Sequence, residues 1–156
     1  MLGACHSEPQ WADPEEHERT EELNALYKEK VAGDWYMFRQ KDTRRLYETL
    51  KLKADGRFEA TMRYATRDTV QVNGEEVVTD WKTFINDTIS GEWELQWSRA
   101  RKENVIDLFA KEVSGPYAFH FQAVTFHGVT ESELQINDLL FQQRLTFRRG
   151  TIDAPF

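Results

Sequence analysis

The sequence predicts an all-β domain of many short antiparallel strands preceded by one N-terminal α-helix. Three observations lead there. Only residues 14–31 repeat their apolar side chains at helical spacing, and Gly33 ends the repeat. Beyond Gly33, apolar and polar residues alternate with period two, most cleanly in "GEWELQWS" at 91–98. Turn pairs punctuate the alternation: Asp55-Gly56, Asn73-Gly74, Ser90-Gly91 and His127-Gly128. Strands on such a meander path build a sandwich or an up-and-down barrel.

The helix comes first. Asp13 suits the N-cap, Pro14 the first turn, and Glu15 and Glu16 the positive end of the helix dipole. Leu23, Leu26, Tyr27 and Val31 form its apolar stripe, and Lys28 and Lys30 sit where cations are favoured.

The strands follow. Trp93, Leu95 and Trp97 share one face of residues 91–98. Tyr117, Phe119 and Phe121 do so in 117–123, and Leu139, Phe141, Leu145 and Phe147 in 139–147. Further runs lie near 34–40, 45–53, 57–65, 68–72, 75–85, 103–110 and 131–136. Turn length fixes register. A three-residue loop, Ala54-Asp55-Gly56, sets Leu52 opposite Phe58 and keeps both apolar faces together; a two-residue turn would set Leu52 opposite Glu59. At Asn73-Gly74 a two-residue turn sets Val70 opposite Val77.

Composition bounds the function. The 156 residues make one domain with room for a core, and 40% hydrophobic content is too rich for a disordered chain. A formal net charge of −7 argues against broad nucleic-acid binding. The pairs Arg44-Arg45 and Arg148-Arg149 read as solvated strand ends. No apolar run approaches the length of a membrane-spanning helix. The four histidines, His6, His17, His120 and His127, form no His-x-x-x-His pair, and one cysteine allows no internal disulfide. No phosphate loop or nucleophile arrangement stands out, so neither enzyme activity, a metal nor a cofactor is expected.

"VAGDWYMFRQ" at 31–40 places Gly33 and Trp35 at the mouth of the first strand, directly after the helix. This Gly-x-Trp resembles the signature of the lipocalin (calycin) superfamily. The resemblance implies an up-and-down β-barrel of eight to ten strands, with Trp35 closing one end and an Arg from the last strand over its indole. "LTFRRG" at 145–150 supplies that Arg. Strand phase favours Arg149; a terminal bulge would select Arg148. The ordered set "AGDWY", "YETLKLKADGRFEA", "GEWEL" and "LTFRR" is similar to small lipocalin-like lipoproteins common in Bacteroidetes, across residues 31–149.

"LGAC" at 2–5 resembles the lipobox of bacterial lipoproteins, in which the Cys carries lipid. The resemblance implies acylation of Cys5, membrane attachment through that lipid, and residence in the bacterial cell envelope, with residues 1–13 as lipobox remnant and polar tether. Residues 14–150 then form the helix and barrel, and 151–156 a tail.

A barrel of this kind would take a small hydrophobic or amphipathic ligand. Candidate lining residues are Trp93, Trp97, Tyr117, Phe119, Phe121, Phe141 and Tyr64, with Arg39, Glu48 and Gln143 as polar anchors. Arg39 and Glu48 could instead neutralise each other. The alternative is a protein-binding module, a protease inhibitor or envelope adaptor, whose aromatics fill the barrel and whose N-terminal segment or loops, such as the basic "SRARKEN" at 98–104, make the contact.

Overall fold

In a computed structural model that describes residues 13–153, ten strands follow one helix. The helix α1 spans Pro14–Val31, and Asp13 caps it by accepting from the Glu15 N–H. The strands are β1 (Gly33–Lys41), β2 (Arg44–Leu52), β3 (Arg57–Thr66), β4 (Thr69–Val72), β5 (Glu75–Val78), β6 (Lys82–Ser98), β7 (Glu103–Ser114), β8 (Phe121–Val129), β9 (Glu133–Asn137) and β10 (Arg144–Arg149). Cys5 and the polar segment around it lie outside the described residues. No described helix is long and apolar enough to cross a membrane.

Eight strands close into an antiparallel barrel in the order β1-β10-β9-β8-β7-β6-β3-β2, and β4-β5 form a separate hairpin. Every barrel neighbour except β10–β1 and β3–β6 is also a chain neighbour, which is the meander the turn spacing implied. Leu52 pairs with Phe58 across residues 53–57, and Val70 pairs with Val77 across Asn73-Gly74.

Two expected turns are absent. Ser90-Gly91 lies inside the 17-residue β6, at a shift of register against β7. A Cβ at Gly91 would drive into the Phe109 carbonyl, so the glycine serves close backbone approach at a bulge rather than a turn. His127-Gly128 marks a similar register shift within β8. Two strands also begin late. Residues 117–120 are not strand, and residues 138–143 form a loop before β10.

The core is built from rungs of cross-strand partners. Gly33–Leu52–Phe58–Gly91 lies at one end, and Trp35–Leu50–Ala60–Ile89 is next. Trp35, Leu50, Leu52, Phe58, Trp93, Leu95, Ile106, Leu108, Leu134, Ile136 and Phe147 are buried in one continuous cluster. Side chains therefore fill this half of the barrel, as small barrels allow. Helix α1 covers that end. Leu23 and Val31 are buried, Tyr27 meets Phe126 edge-on at 5.7 Å, and Asn24 donates to the Leu95 carbonyl. Leu26, expected in the stripe, is 63% exposed because the helix lies across a barrel end and buries a narrower face. The basic 98–104 turn clamps the start of this helix: Arg99 reaches Asp13 at 2.6 Å and Glu15 at 3.3 Å.

Candidate functional site

The Gly-x-Trp residues build the closed end. The Trp35 indole N–H donates to the Val31 carbonyl at 2.8 Å, tying strand to helix. The Arg149 guanidinium lies 4.2 Å from the centroid of the Trp35 ring. It donates to the carbonyls of Lys30 (2.8 Å) and Ala32 (3.2 Å), so one side chain covers the indole and satisfies open groups at the C-terminus of α1. Trp35 pairs with Arg149 across β1 and β10, which places both on one face. Gly33 has φ +146°, and a Cβ there would collide with the guanidinium. Arg148 points away, to Glu133 at 3.6 Å. The Arg148-Arg149 pair is therefore divided: one cation is a solvated strand end and the other is structural.

The open end is built on acids. One step above the Trp35 rung, cross-strand partners form the row Met37–Glu48–Met62–Asp87. Glu48 and Asp87 are both buried, and each holds a loop. Asp87 accepts from the Tyr117 N–H at 2.6 Å, fixing the turn at Gly115 and Pro116. Glu48 accepts from Leu139 N–H (2.7 Å) and Leu140 N–H (3.2 Å). Buried Asp138 accepts from Leu140, Phe141 and Gln143 N–H groups of its own loop. Desolvation, then the neighbouring Asp138 carboxylate, holds the Glu48 carboxyl well above the usual range, against the pull of the two loop amides. Arg39 and Glu48 do not neutralise each other: Glu48 is satisfied by the loop, and Arg39 lies one inward step higher, opposite Leu46.

Above this row opens a cleft of about 230 Å³, lined by Arg39, Lys41, Arg44, Leu46, Tyr64, Phe141, Gln143 and Leu145. The Phe141 ring stands edge-on to Tyr64 at 5.1 Å, and Leu46 and Leu145 complete the apolar wall. Arg39, Lys41 and Arg44 are exposed, and their side chains have no ion-pair partner among the described residues. No carboxylate lines the cleft.

Four sequence candidates thus meet in one place: Arg39, Tyr64, Phe141 and Gln143. Glu48 lies beneath them as a loop anchor. The others are dispersed. Trp93 is core at the closed end and donates to the Lys53 carbonyl. Trp97 is half-buried beside the helix, under Arg19 at 4.5 Å. Phe119 packs half-buried against the core. Tyr117 and Phe121 do not face inward; they are 57% and 53% exposed. The cause is the late start of β8: its inward positions are Val124 and Phe126, and Phe121 stacks on Phe109 outside at 5.1 Å. Lys41 and Arg44 were missed as lining residues, although Lys41 continues the Met37, Arg39 alternation. Asp138 was missed because the residues that follow it, 139–147, read as strand throughout; its position before a run of apolar residues is an Asx-turn signal.

His120 precedes β8, and His127 lies on it, 2.8 Å from Asn137. Among the described residues no three His, Cys, Asp or Glu side chains gather as a metal-binding group. No family model matches the chain, and neither the curated proteins nor the solved structures supply a match.

Proposed function

We propose that this chain is a lipocalin-like, lipid-anchored protein of the bacterial cell envelope that binds a small hydrophobic or amphipathic ligand, and that it is a binding protein rather than an enzyme. The observation that carries the ligand reading is the convergence of Arg39, Tyr64, Phe141 and Gln143 on the cleft at the open end. An apolar wall with a few convergent polar groups is the usual make-up of a small-molecule site. The opposite end is filled, so binding belongs to the upper barrel. The anchor rests on "LGAC" alone.

Two measurements test the reading. Metabolic labelling with a fatty-acid analogue should mark the wild type and leave Cys5→Ser unlabelled; equal labelling removes the anchor. Amide spectra recorded during titration with a bacterial lipid extract should shift at Leu46, Tyr64 and Phe141. Spectra unmoved at all three would remove the ligand.

A second reading, a protein-binding module, is favoured by a specific feature. The β4-β5 hairpin exposes Val70, Val72 and Val77 on one face and Val78 on the other. Pull-down with envelope proteins, lost on Val72→Lys and Val78→Lys while the amide shifts are absent, would select it.

A further inference from the structure

We propose that the cleft takes a single-tailed anionic amphiphile, a molecule with a carboxylate or phosphate head and a short hydrocarbon tail. This rests on the ligand reading above and names the ligand's chemical class.

Charge is the first argument. The chain is acidic overall, at −7, yet this cleft gathers Arg39, Lys41 and Arg44 with no carboxylate in the lining. Several surface cations elsewhere are paired with a carboxylate: Arg99 with Asp13, Lys53 with Glu59, Lys111 with Glu92 and Arg101 with Glu103. Asp42, at the tip of the β1–β2 hairpin, is not among the lining residues.

Register is the second. Lys41 and Arg44 are direct cross-strand partners. Like charges set directly opposite destabilise an antiparallel pair. An anion between them relieves that repulsion, and arginine and lysine donors suit both carboxylate and phosphate.

Depth is the third. Arg39 lies one inward step below the Lys41–Arg44 pair, roughly 7 Å along the strand, level with Leu46 and Tyr64. A head at the rim therefore leads its tail onto Leu46, Tyr64, Phe141 and Leu145. The row of Glu48 and Met62 is the floor. The space is below the roughly 300–1,000 Å³ of drug-sized sites, so the tail is short or partly outside.

The test is a titration of the full chain with octanoate, octyl phosphate and 1-octanol, followed by amide shifts of Tyr64, Phe141 and Gln143. Both anions should bind at least about tenfold more tightly than the alcohol, the head with the larger advantage identifying carboxylate or phosphate. The advantage should shrink in 0.5 M salt, because the cations are exposed. Arg39→Gln, Lys41→Gln and Arg44→Gln combined should bring the anions to the level of 1-octanol. Arg148→Gln, at the far end, should change nothing. The triple variant removes the Lys41–Arg44 repulsion, so its melting temperature should hold or rise. Equal binding of all three probes overturns the anionic head and leaves the ligand reading standing. An anion preference that survives the triple variant also overturns it. No binding by any probe, with the lipid-extract titration also silent, brings down the ligand reading itself.

Discussion

At one end of the barrel the strands close on Trp35, Arg149 and the last turn of α1; at the other they close on Glu48, Asp87 and Asp138. The first closure combines apolar area with hydrogen bonds from a permanent cation. The second consists of buried carboxyls holding loop amides. The difference divides the labour. A seal made of indole and aliphatic side chains leaves no space to occupy. Loops pinned by acids leave side chains such as Phe141 and Gln143 at the edge of an opening. The same contrast predicts different sensitivities.

The largest effect belongs to the closed end. Trp35→Ala should lower unfolding stability by about 3–5 kcal/mol, since it empties a fully buried aromatic site. Urea denaturation measures this directly, and a loss under 1 kcal/mol would mean that the helix, not the indole, seals the end.

Next comes the open end. Asp138→Ala strands the Phe141 and Gln143 amides and leaves that of Leu140 to Glu48 alone, at a cost of about 2–3 kcal/mol. The comparison is sharpened by location. Hydrogen-exchange protection should fall over residues 139–143 and persist at 33–36, whereas Trp35→Ala should expose both.

Gly33→Ala tests the fit beneath the guanidinium. With a positive φ and Arg149 in the way, it should cost about 1–3 kcal/mol. Arg149→Ala should cost about 1–2 kcal/mol, less than its hydrogen bonds alone would indicate, because the group is partly solvated. In a double-mutant cycle Trp35 and Arg149 should couple by at least about 0.5 kcal/mol. Additive losses would reduce the pair to mere neighbours.

The smallest effect is a pH dependence, and its sign follows from Glu48. Its folded value lies well above the ordinary 4.5, so the folded protein holds a proton that the unfolded chain releases. The stability tied to that proton is fully present below pH about 4.5 and is lost as pH rises through the raised value. Asp107, on the outer face near the closed end, behaves alike. Burial, then Glu94, raises it to about 6 from 3.8. Asp107→Asn should therefore raise the melting temperature at pH 8 and leave it unchanged at pH 4. Protection factors at 139–143, corrected for intrinsic exchange, should fall as pH rises through the raised Glu48 value, and should do so in Asp107→Asn as well.

Much of the architecture was legible because local chemistry determines it. Asp13, Pro14 and the two glutamates marked the helix start, and parity arguments around residues 54–56 set the β2–β3 register. The errors came where one residue type serves two ends. A glycine marks a turn and equally a bulge, and the difference at Gly91 lies in the Phe109 carbonyl of another strand. Alternation in 117–123 and 139–147 is compatible with loops held by Asp87 and Asp138, whose grip depends on tertiary burial. The candidate site was half legible. Parity found Arg39, Tyr64 and Gln143, but barrel depth, which separates a filled rung from an open one, leaves no trace in a period of two. That is why Trp93 read as a lining residue.

The hydrogen bond from Arg149 to Lys30 joins residues 119 positions apart, and the β10–β1 seam it guards is only two residue pairs long. Loop-closure entropy grows slowly with length, so the distance costs little once the chain is complete. Its consequence is one of timing. The helix and β1 leave the ribosome before the other strands, yet Trp35 lacks its Arg149 cover until the last strand follows. The end of the barrel that is made earliest is the last to be shut, and for most of synthesis its indole is the surface a chaperone would meet.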